Sequence, residues 1–156
     1  MPDDHQNAVE SFILCELAGT SYGVRSRMVQ QLEMVEHVTP VPNAAPAVEG
    51  VVFSRGQAIP ALNLRVRFGF DRAPFDLRTR LVVVDVEGRS IGLIVDAARE
   101  FVSIQTASIE PPPDAVAGLA GDYLEGIASI GDRIVLVLDL AEVARVTPDG
   151  AVPDGA

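Results

Sequence analysis

The chain has 156 residues, of which 48% are hydrophobic, so it has the size of one domain or of two small lobes that share a core. Its formal net charge of −10 argues against nucleic acid and against an anionic membrane surface as partners, because both attract basic proteins. No apolar run reaches the roughly 18 residues of a transmembrane helix, and the first residues lack the order of a signal peptide. The single cysteine, Cys15, fits a reducing compartment, so we expect a cytoplasmic protein without direct membrane contact.

The first predicted element is a β-hairpin that follows a polar segment, residues 1–10, which we expect to be disordered. An apolar run over 11–18 leads to a turn at Gly19, and 22–24 form the return strand. The following residues, 26–31, are predicted to form a short capped turn. They include Val29 and Gln31, which fit either the edge of the core or a contact surface.

The second predicted element is a hairpin over 49–65, whose tip is the polar sequence Ser54-Arg55-Gly56-Gln57 between two apolar runs. The sequence over 125–140 repeats it: Glu49, Gly50 and Leu62 have counterparts in Glu125, Gly126 and Leu138. Only the tips differ. One hairpin of the pair therefore presents an arginine, Arg55, beside a glycine, where the chain allows a partner to approach closely.

The first hairpin is repeated as well, because 13–24 match 82–93 with glycines at the same places. Such internal similarity is a signal of the fold. We predict a domain over 11–146 with lobe one at about 12–70, lobe two at about 81–146, and a charged joint with Pro74 between them. Halves of about 60 residues are marginally stable alone, so the lobes should share a core.

Short aliphatic runs separated by Gly, Pro and Asp make the prediction mainly β: two small β-barrels. A short C-terminal helix is predicted over 139–145, with Asp139 as its N-cap. Residues 147–156 are rich in Pro, Gly and Asp and are predicted to form a disordered tail.

The inventory of reactive residues is thin, so we predict that the chain is not an enzyme and holds no metal or cofactor. His5, His37 and Cys15 lie far apart and give no ligand spacing for zinc. Cys15 stands in an aliphatic strand, as a core thiol does. All 12 basic residues are arginine, which excludes lysine chemistry, and the glycines do not form a phosphate loop.

The sequence over 50–68, GVVFSRGQAIPALNLRVRF, resembles the signature of the CheW-like coupling proteins of bacterial chemotaxis. That signature has a glycine and aliphatics, Arg-Gly, and then an aliphatic-Pro step that leads to Leu-Arg and a Phe. Further matches are Tyr22-Gly-Val, 91–96, 109–113 and 124–140. The resemblance extends over about Ser11 to Arg145.

The resemblance implies a pair of five-stranded, SH3-like β-barrels and a non-enzymatic adaptor. It implies two partners: the cytoplasmic tip of a methyl-accepting chemoreceptor and the regulatory domain of the histidine kinase CheA. By similarity, receptor contacts fall on a groove between the lobes, and kinase contacts fall on the second barrel. The residues implied for the receptor are Val29, Gln31, Arg55 and Gly56, and those implied for the kinase are Gly92, Leu93 and Phe101.

The chain departs from the family pattern at Phe53-Ser54, where Asn-Leu is common, at Asn63, where Asp is common, and at Gln31, where an acidic residue is frequent. A paralogue in another chemosensory pathway, such as control of type IV pili, is therefore one alternative. A twin-barrel sensor of small ligands and a piece of a larger protein are the others.

Overall fold

A computed structural model describes residues 8–114 and 123–145, and in these residues the chain is mainly β, as predicted. No described helix is long and apolar enough to span a membrane. The described strands are β1 (Val9–Leu17), β2 (Thr20–Arg25), β3 (Val29–Met34), β4 (Val48–Ser54), β5 (Gln57–Asn63), β6 (Arg80–Val86), β7 (Arg89–Val95), β8 (Ala97–Gln105), β9 (Leu124–Ile130) and β10 (Arg133–Leu138). The described helices with defined bounds are α1 (Leu64–Arg67) and α2 (Leu140–Val143).

The four predicted hairpins are present: β1–β2, β4–β5, β6–β7 and β9–β10. Each has a two-residue turn that contains a glycine at positive φ, namely Gly19, Gly56, Gly88 and Gly131. Such turns match the right-handed twist of the strands that they join, which is why the glycines mark hairpins in this sequence.

The strands form two five-stranded mixed sheets. Sheet 1 has the order β8-β1-β2-β10-β9 and sheet 2 the order β3-β6-β7-β5-β4. Parallel pairs join the halves of the chain, because β2 lies beside β10 and β5 lies beside β7. Each sheet therefore takes strands from both sequence repeats, so the sheets do not follow the division into 12–70 and 81–146.

The core explains why the two sheets stay together. The largest cluster of buried side chains takes Ile13 and Tyr22 from sheet 1 and Leu62 and Val82 from sheet 2. Two smaller clusters fill the separate barrels, one around Val83 in sheet 2 and one around Phe12 in sheet 1. A core shared between the two lobes was predicted and is confirmed.

The C-terminal helix was also predicted with its cap, and the Asp139 carboxylate does accept a hydrogen bond from the Glu142 amide. Helix α1 was not predicted, although Asn63 caps it in the same way by accepting bonds from the amides of Arg65 and Val66. Residues 26–31 form a 3-10 turn at Ser26–Met28 without a side-chain cap, followed by the start of β3.

The termini were predicted to be disordered. Val9 and Glu10 belong instead to β1, where they pair with Gln105 and Ile104 of β8. The predictions for 1–7 and for the tail at 147–156 lie outside the described residues.

Candidate protein-binding site

Arg55 and Gly56 form the tip of the β4–β5 hairpin, between the paired residues Ser54 and Gln57. Arg55 has a φ of 54° and Gly56 a φ of 77°. Positive φ is uncommon for a residue with a side chain and is held here by the tight turn. Arg55 is exposed, and in the described part of the chain its guanidinium makes no ion pair. The turn thus presents a cation to solvent.

A shallow cleft of about 390 Å³ adjoins the tip. It brings Arg55 and Gln31 together, two of the residues that the resemblance implied. Its lining is mostly neutral and hydrogen-bonding, with two apolar residues among it: Gln30, Gln31, Ser54, Arg55, Gln57, Ile59, Val83 and Ser90. All of these residues belong to sheet 2 or its turn, so the cleft lies on one sheet, whereas the resemblance implied a groove between the lobes.

Val29 and Gly56 flank this cleft without lining it. Val29 begins β3, is half-buried and packs against the shared core, with a bulge between it and Gln31. Gly56 is exposed, and a Cβ added to it would meet no atom within 4 Å. Its role at the tip is therefore conformational: it supplies the second positive φ of the turn.

Sequence reasoning did not predict the role of Glu33. The Ser54 hydroxyl donates a 2.7 Å hydrogen bond to Oε2 of Glu33, and the Gln31 amide donates to the same oxygen. Two of the departures from the family pattern, Gln31 and Ser54, therefore meet on one carboxylate. The available signal was the spacing of Gln31 and Glu33, which places both on one face of a strand.

A second groove, of about 510 Å³, is lined in part by Glu33. Met34 and Phe53 both line it and are exposed, Phe53 to 77% of its surface. His37 is another lining residue. An exposed phenylalanine next to a cationic turn is a feature of a contact surface, because aromatic side chains and arginine dominate binding energy at protein interfaces.

The residues implied for the kinase do not lie together on a surface. Leu93 is only 1% exposed, and Gly92 is buried where an added Cβ would lie 2.6 Å from Cδ1 of Leu81. Both belong to β7, which is paired on both sides, so neither presents a side chain at the surface. Phe101, by contrast, is 65% exposed on β8, an edge strand of sheet 1.

Other arginines of the signature hold the molecule together. Arg65 pairs with Asp96 at 2.7 Å, and Asp96 also accepts a bond from the Ala18 amide in the turn between β1 and β2. Arg67 donates to the carbonyls of Glu142 and Val143 and to the hydroxyl of Tyr123, so it links α1 to α2. The Leu-Arg-Val-Arg part of the motif is therefore structural.

The ionisation of Asp96 reflects this network. Burial alone would raise the pKa of Asp96, but hydrogen bonds from Arg65 and the Ala18 amide, with the charge of Arg65, hold it below its ordinary value. Glu10 behaves alike: burial opposes ionisation, while bonds from Arg27 and Arg25 lower its pKa. Both carboxylates are committed to ion pairs within the fold.

Reactive groups do not converge in the described residues. Burial raises the pKa of Cys15 to about 12, so its thiol is a packing group and not a nucleophile. No group of three or more His, Cys, Asp or Glu among these residues is arranged to hold a metal ion.

The fold and the site together define a class of protein: a pair of small β-barrels whose distinctive surface is a cationic hairpin and its polar cleft. A family model for the CheW-like domain matches residues 11–147, and the chain belongs to this family. The solved structures include a similar one, the crystal structure of the scaffolding protein TtCheW from Thermoanaerobacter tengcongensis. It has a TM-score of 0.84 and 29% identity, with 92% of this chain and 97% of that chain covered.

Curated relatives agree with this result. The chemotaxis protein CheW of Klebsiella aerogenes is 28% identical, over 86% of this chain and 81% of the relative. The chemotaxis protein CheW of Bacillus subtilis is 26% identical, over 94% and 95%. The chain is therefore a chemotaxis protein of the scaffolding type and not an enzyme, as the sequence indicated.

Proposed function

We propose that the chain couples methyl-accepting chemoreceptors to the histidine kinase CheA as a cytoplasmic adaptor. The observation that carries the proposal is Arg55, an exposed cation fixed at the tip of a two-residue turn, with no ion pair in the described residues. Gln31 borders the same cleft. Family membership favours this function over a sensor of small ligands.

The receptor tip is a helical hairpin, and the proposed surface suits a helix. Arg55 would pair with a carboxylate or with the carbonyls at a helix C-terminus. Phe53 and Met34, which line the neighbouring groove, would contact the apolar side of the helix. Because signalling arrays need reversible contacts, an interface of moderate size is sufficient.

The kinase side of the proposal rests on Phe101. It is exposed on β8, whose outer edge is not hydrogen-bonded to another strand of sheet 1. Open edges are docking strips for other β-structures. Gly92 and Leu93 lie in β7 of sheet 2 and enter the proposal only as packing residues of that sheet.

The test is Arg55→Glu, measured by calorimetry with a fragment of the receptor tip. We expect a loss of at least about 30-fold in affinity, as for an arginine that dominates an interface. The melting temperature should stay the same, because Arg55 is exposed. The control is Arg133→Glu, which changes the net charge equally at the tip of the repeated hairpin and should leave receptor affinity unchanged. Equal affinity of the Arg55 variant and the wild type would refute the assigned role.

A further inference from the structure

The strands β3 and β4 are the two edges of sheet 2, and neither is hydrogen-bonded to the other in the sheet. A side-chain contact connects them, because the Ser54 hydroxyl donates a hydrogen bond of 2.7 Å to Glu33. Ser54 is only 7% exposed, so its hydroxyl needs a partner inside the protein. Gln31 donates to the same carboxylate oxygen and connects the pair to the cleft.

The hairpin tip needs such a contact because it lies beyond the hydrogen-bonded part of β5 and β7. Strand β5 pairs with β7 only from Ala61 to Asn63, whereas the tip begins at Gln57. The four residues 57–60 of β5 precede this paired segment, and at about 3.3 Å per residue they extend roughly 13 Å from it. Val52 and Ile59 of this ribbon pack into the core of sheet 2, so the part that depends on the ribbon's own pairing is the exposed turn at 55–57. Ser54 stands directly before Arg55, so its bond to Glu33 acts at the place where the ribbon would otherwise move.

We propose that Glu33 is a positioning residue for Arg55. Its carboxylate holds the projecting tip against β3, so that Arg55 and Gln31 meet a partner in one fixed geometry. A partner that binds a tip already in place does not lose affinity to the ordering of a mobile loop. The expected effect of Glu33 on receptor binding rests on the proposed function. Its expected effect on the mobility of the hairpin does not depend on that function.

The first experiment therefore leaves the receptor out. Amide hydrogen exchange is measured in the wild type, Glu33→Ala, Ser54→Ala and Glu33→Gln. We expect the Ala variants to exchange at least about tenfold faster at 54–57 alone, and Glu33→Gln to stay near the wild type, because its amide oxygen still accepts both bonds. The control is Glu36→Ala, an exposed carboxylate of the second groove, which should not change exchange at the tip. Wild-type exchange at 54–57 in both Ala variants would overturn the inference.

The second experiment measures affinity for the receptor-tip fragment and for the kinase regulatory domain. Glu33→Ala should weaken receptor binding about tenfold, with kinase binding unchanged and Glu33→Gln close to the wild type. In an Arg55→Ala background, Glu33→Ala should cause no further loss, because its effect passes through the arginine. If Glu33→Ala weakened receptor binding as much in that background as in the wild type, or also weakened kinase binding, its role would be generally structural and the positioning role would be refuted.

A failure of the proposed function and a failure of the positioning role would give different results. If the wild type does not bind the receptor fragment, the proposed function fails, and hydrogen exchange still decides the role of Glu33. If the wild type binds and Arg55→Glu does not, while Glu33→Ala binds normally, only the positioning role is refuted.

Discussion

Arg55, Arg25 and Arg65 are the same residue type with different surroundings. Arg25 donates to both carboxylate oxygens of Glu125 and to Glu10, and Arg65 donates to both oxygens of Asp96. These guanidiniums are saturated by internal carboxylates, whereas Arg55 stands at an exposed turn. Availability for a partner, and not charge alone, is what distinguishes it.

Asp96 offers a test of these internal pairs through pH. Its folded pKa is lowered, so it stabilises the protein at a pH above its unfolded pKa of about 3.9, and this stabilisation is lost as the pH falls through the folded pKa. Its side chain is 21% exposed, which limits screening by solvent. Asp96→Asn should therefore lower the free energy of unfolding by roughly 1.5–3 kcal/mol at pH 7. The difference should become smaller in acid.

Urea denaturation of both proteins at pH 7 and at pH 3 checks this expectation. Glu87→Gln, at an exposed turn, serves as the control and should change neither value. A destabilisation by Asp96→Asn that is the same at both pH values would mean that the charge of Asp96 contributes nothing.

At this scale Arg55 and Gln31 stay predictions as contact residues, and the internal ion pairs of the other arginines were not predicted. The partner of Arg25 lies 100 residues away and the partner of Arg65 lies 31 residues away. Nothing in the local sequence identifies such pairs, because they depend on which strands become neighbours. The same reason explains the burial of Gly92 and Leu93, which depends on the pairing of β7 on both sides.

At the scale of the elements, the repeated hairpins share one construction. Thr39 forms an isolated bridge with Val51, and Glu110 forms one with Ile127. A glycine precedes the bridged strand residue in both repeats: Gly50 precedes Val51, and Gly126 precedes Ile127. A Cβ on Gly50 would lie 2.1 Å from the Thr39 carbonyl oxygen, and one on Gly126 would lie 3.0 Å from that of Glu110. The repeated glycines therefore admit the crossing segments.

Gly50→Ala should be severely destabilising, by about 3 kcal/mol or more, because the clash is with backbone. Its φ of 153° adds to the strain. We expect the melting temperature to fall by roughly 6–12 °C for a chain of this size. Calorimetry measures it directly. The matched control is Gly56→Ala, where an added Cβ meets nothing within 4 Å, so only a conformational penalty of about 1–2 kcal/mol remains. Equal effects of the two variants would refute the packing argument.

The same repeat shows where prediction from sequence stopped. It identified all four hairpins, because apolar runs and turn glycines are local signals. The residues after Leu62 and Leu138 in the repeated hairpins are Asn63 and Asp139, yet only Asp139 was predicted to be a helix cap. The helix predicted after Asp139 should also have been expected after Asn63. Both side chains cap a short helix by accepting hydrogen bonds from its first amides.

At the scale of the whole molecule, the two sequence repeats are interlocked. Eight strand pairs join the ten described strands, and four of them are the hairpins within the repeats. The other four are β1–β8, β2–β10, β3–β6 and β5–β7, and each joins the first half of the chain to the second. Local sequence predicts the hairpins but not this exchange, because a pair between distant strands leaves no local signal.

A division of the chain in the segment between β5 and β6 tests this interlocking. Fragments 1–73 and 74–156 each retain two hairpins but lose every pair that joins a hairpin to another strand. Isolated hairpins are marginal in water, and the shared core needs side chains from both halves. We therefore expect each fragment alone to lack a cooperative transition in far-UV circular dichroism, and the 1:1 mixture to recover it. The control is the full chain with a protease site inserted after residue 73, left uncut, which should fold normally. A cooperative urea transition of fragment 74–156 alone would show that the second repeat is an independent lobe.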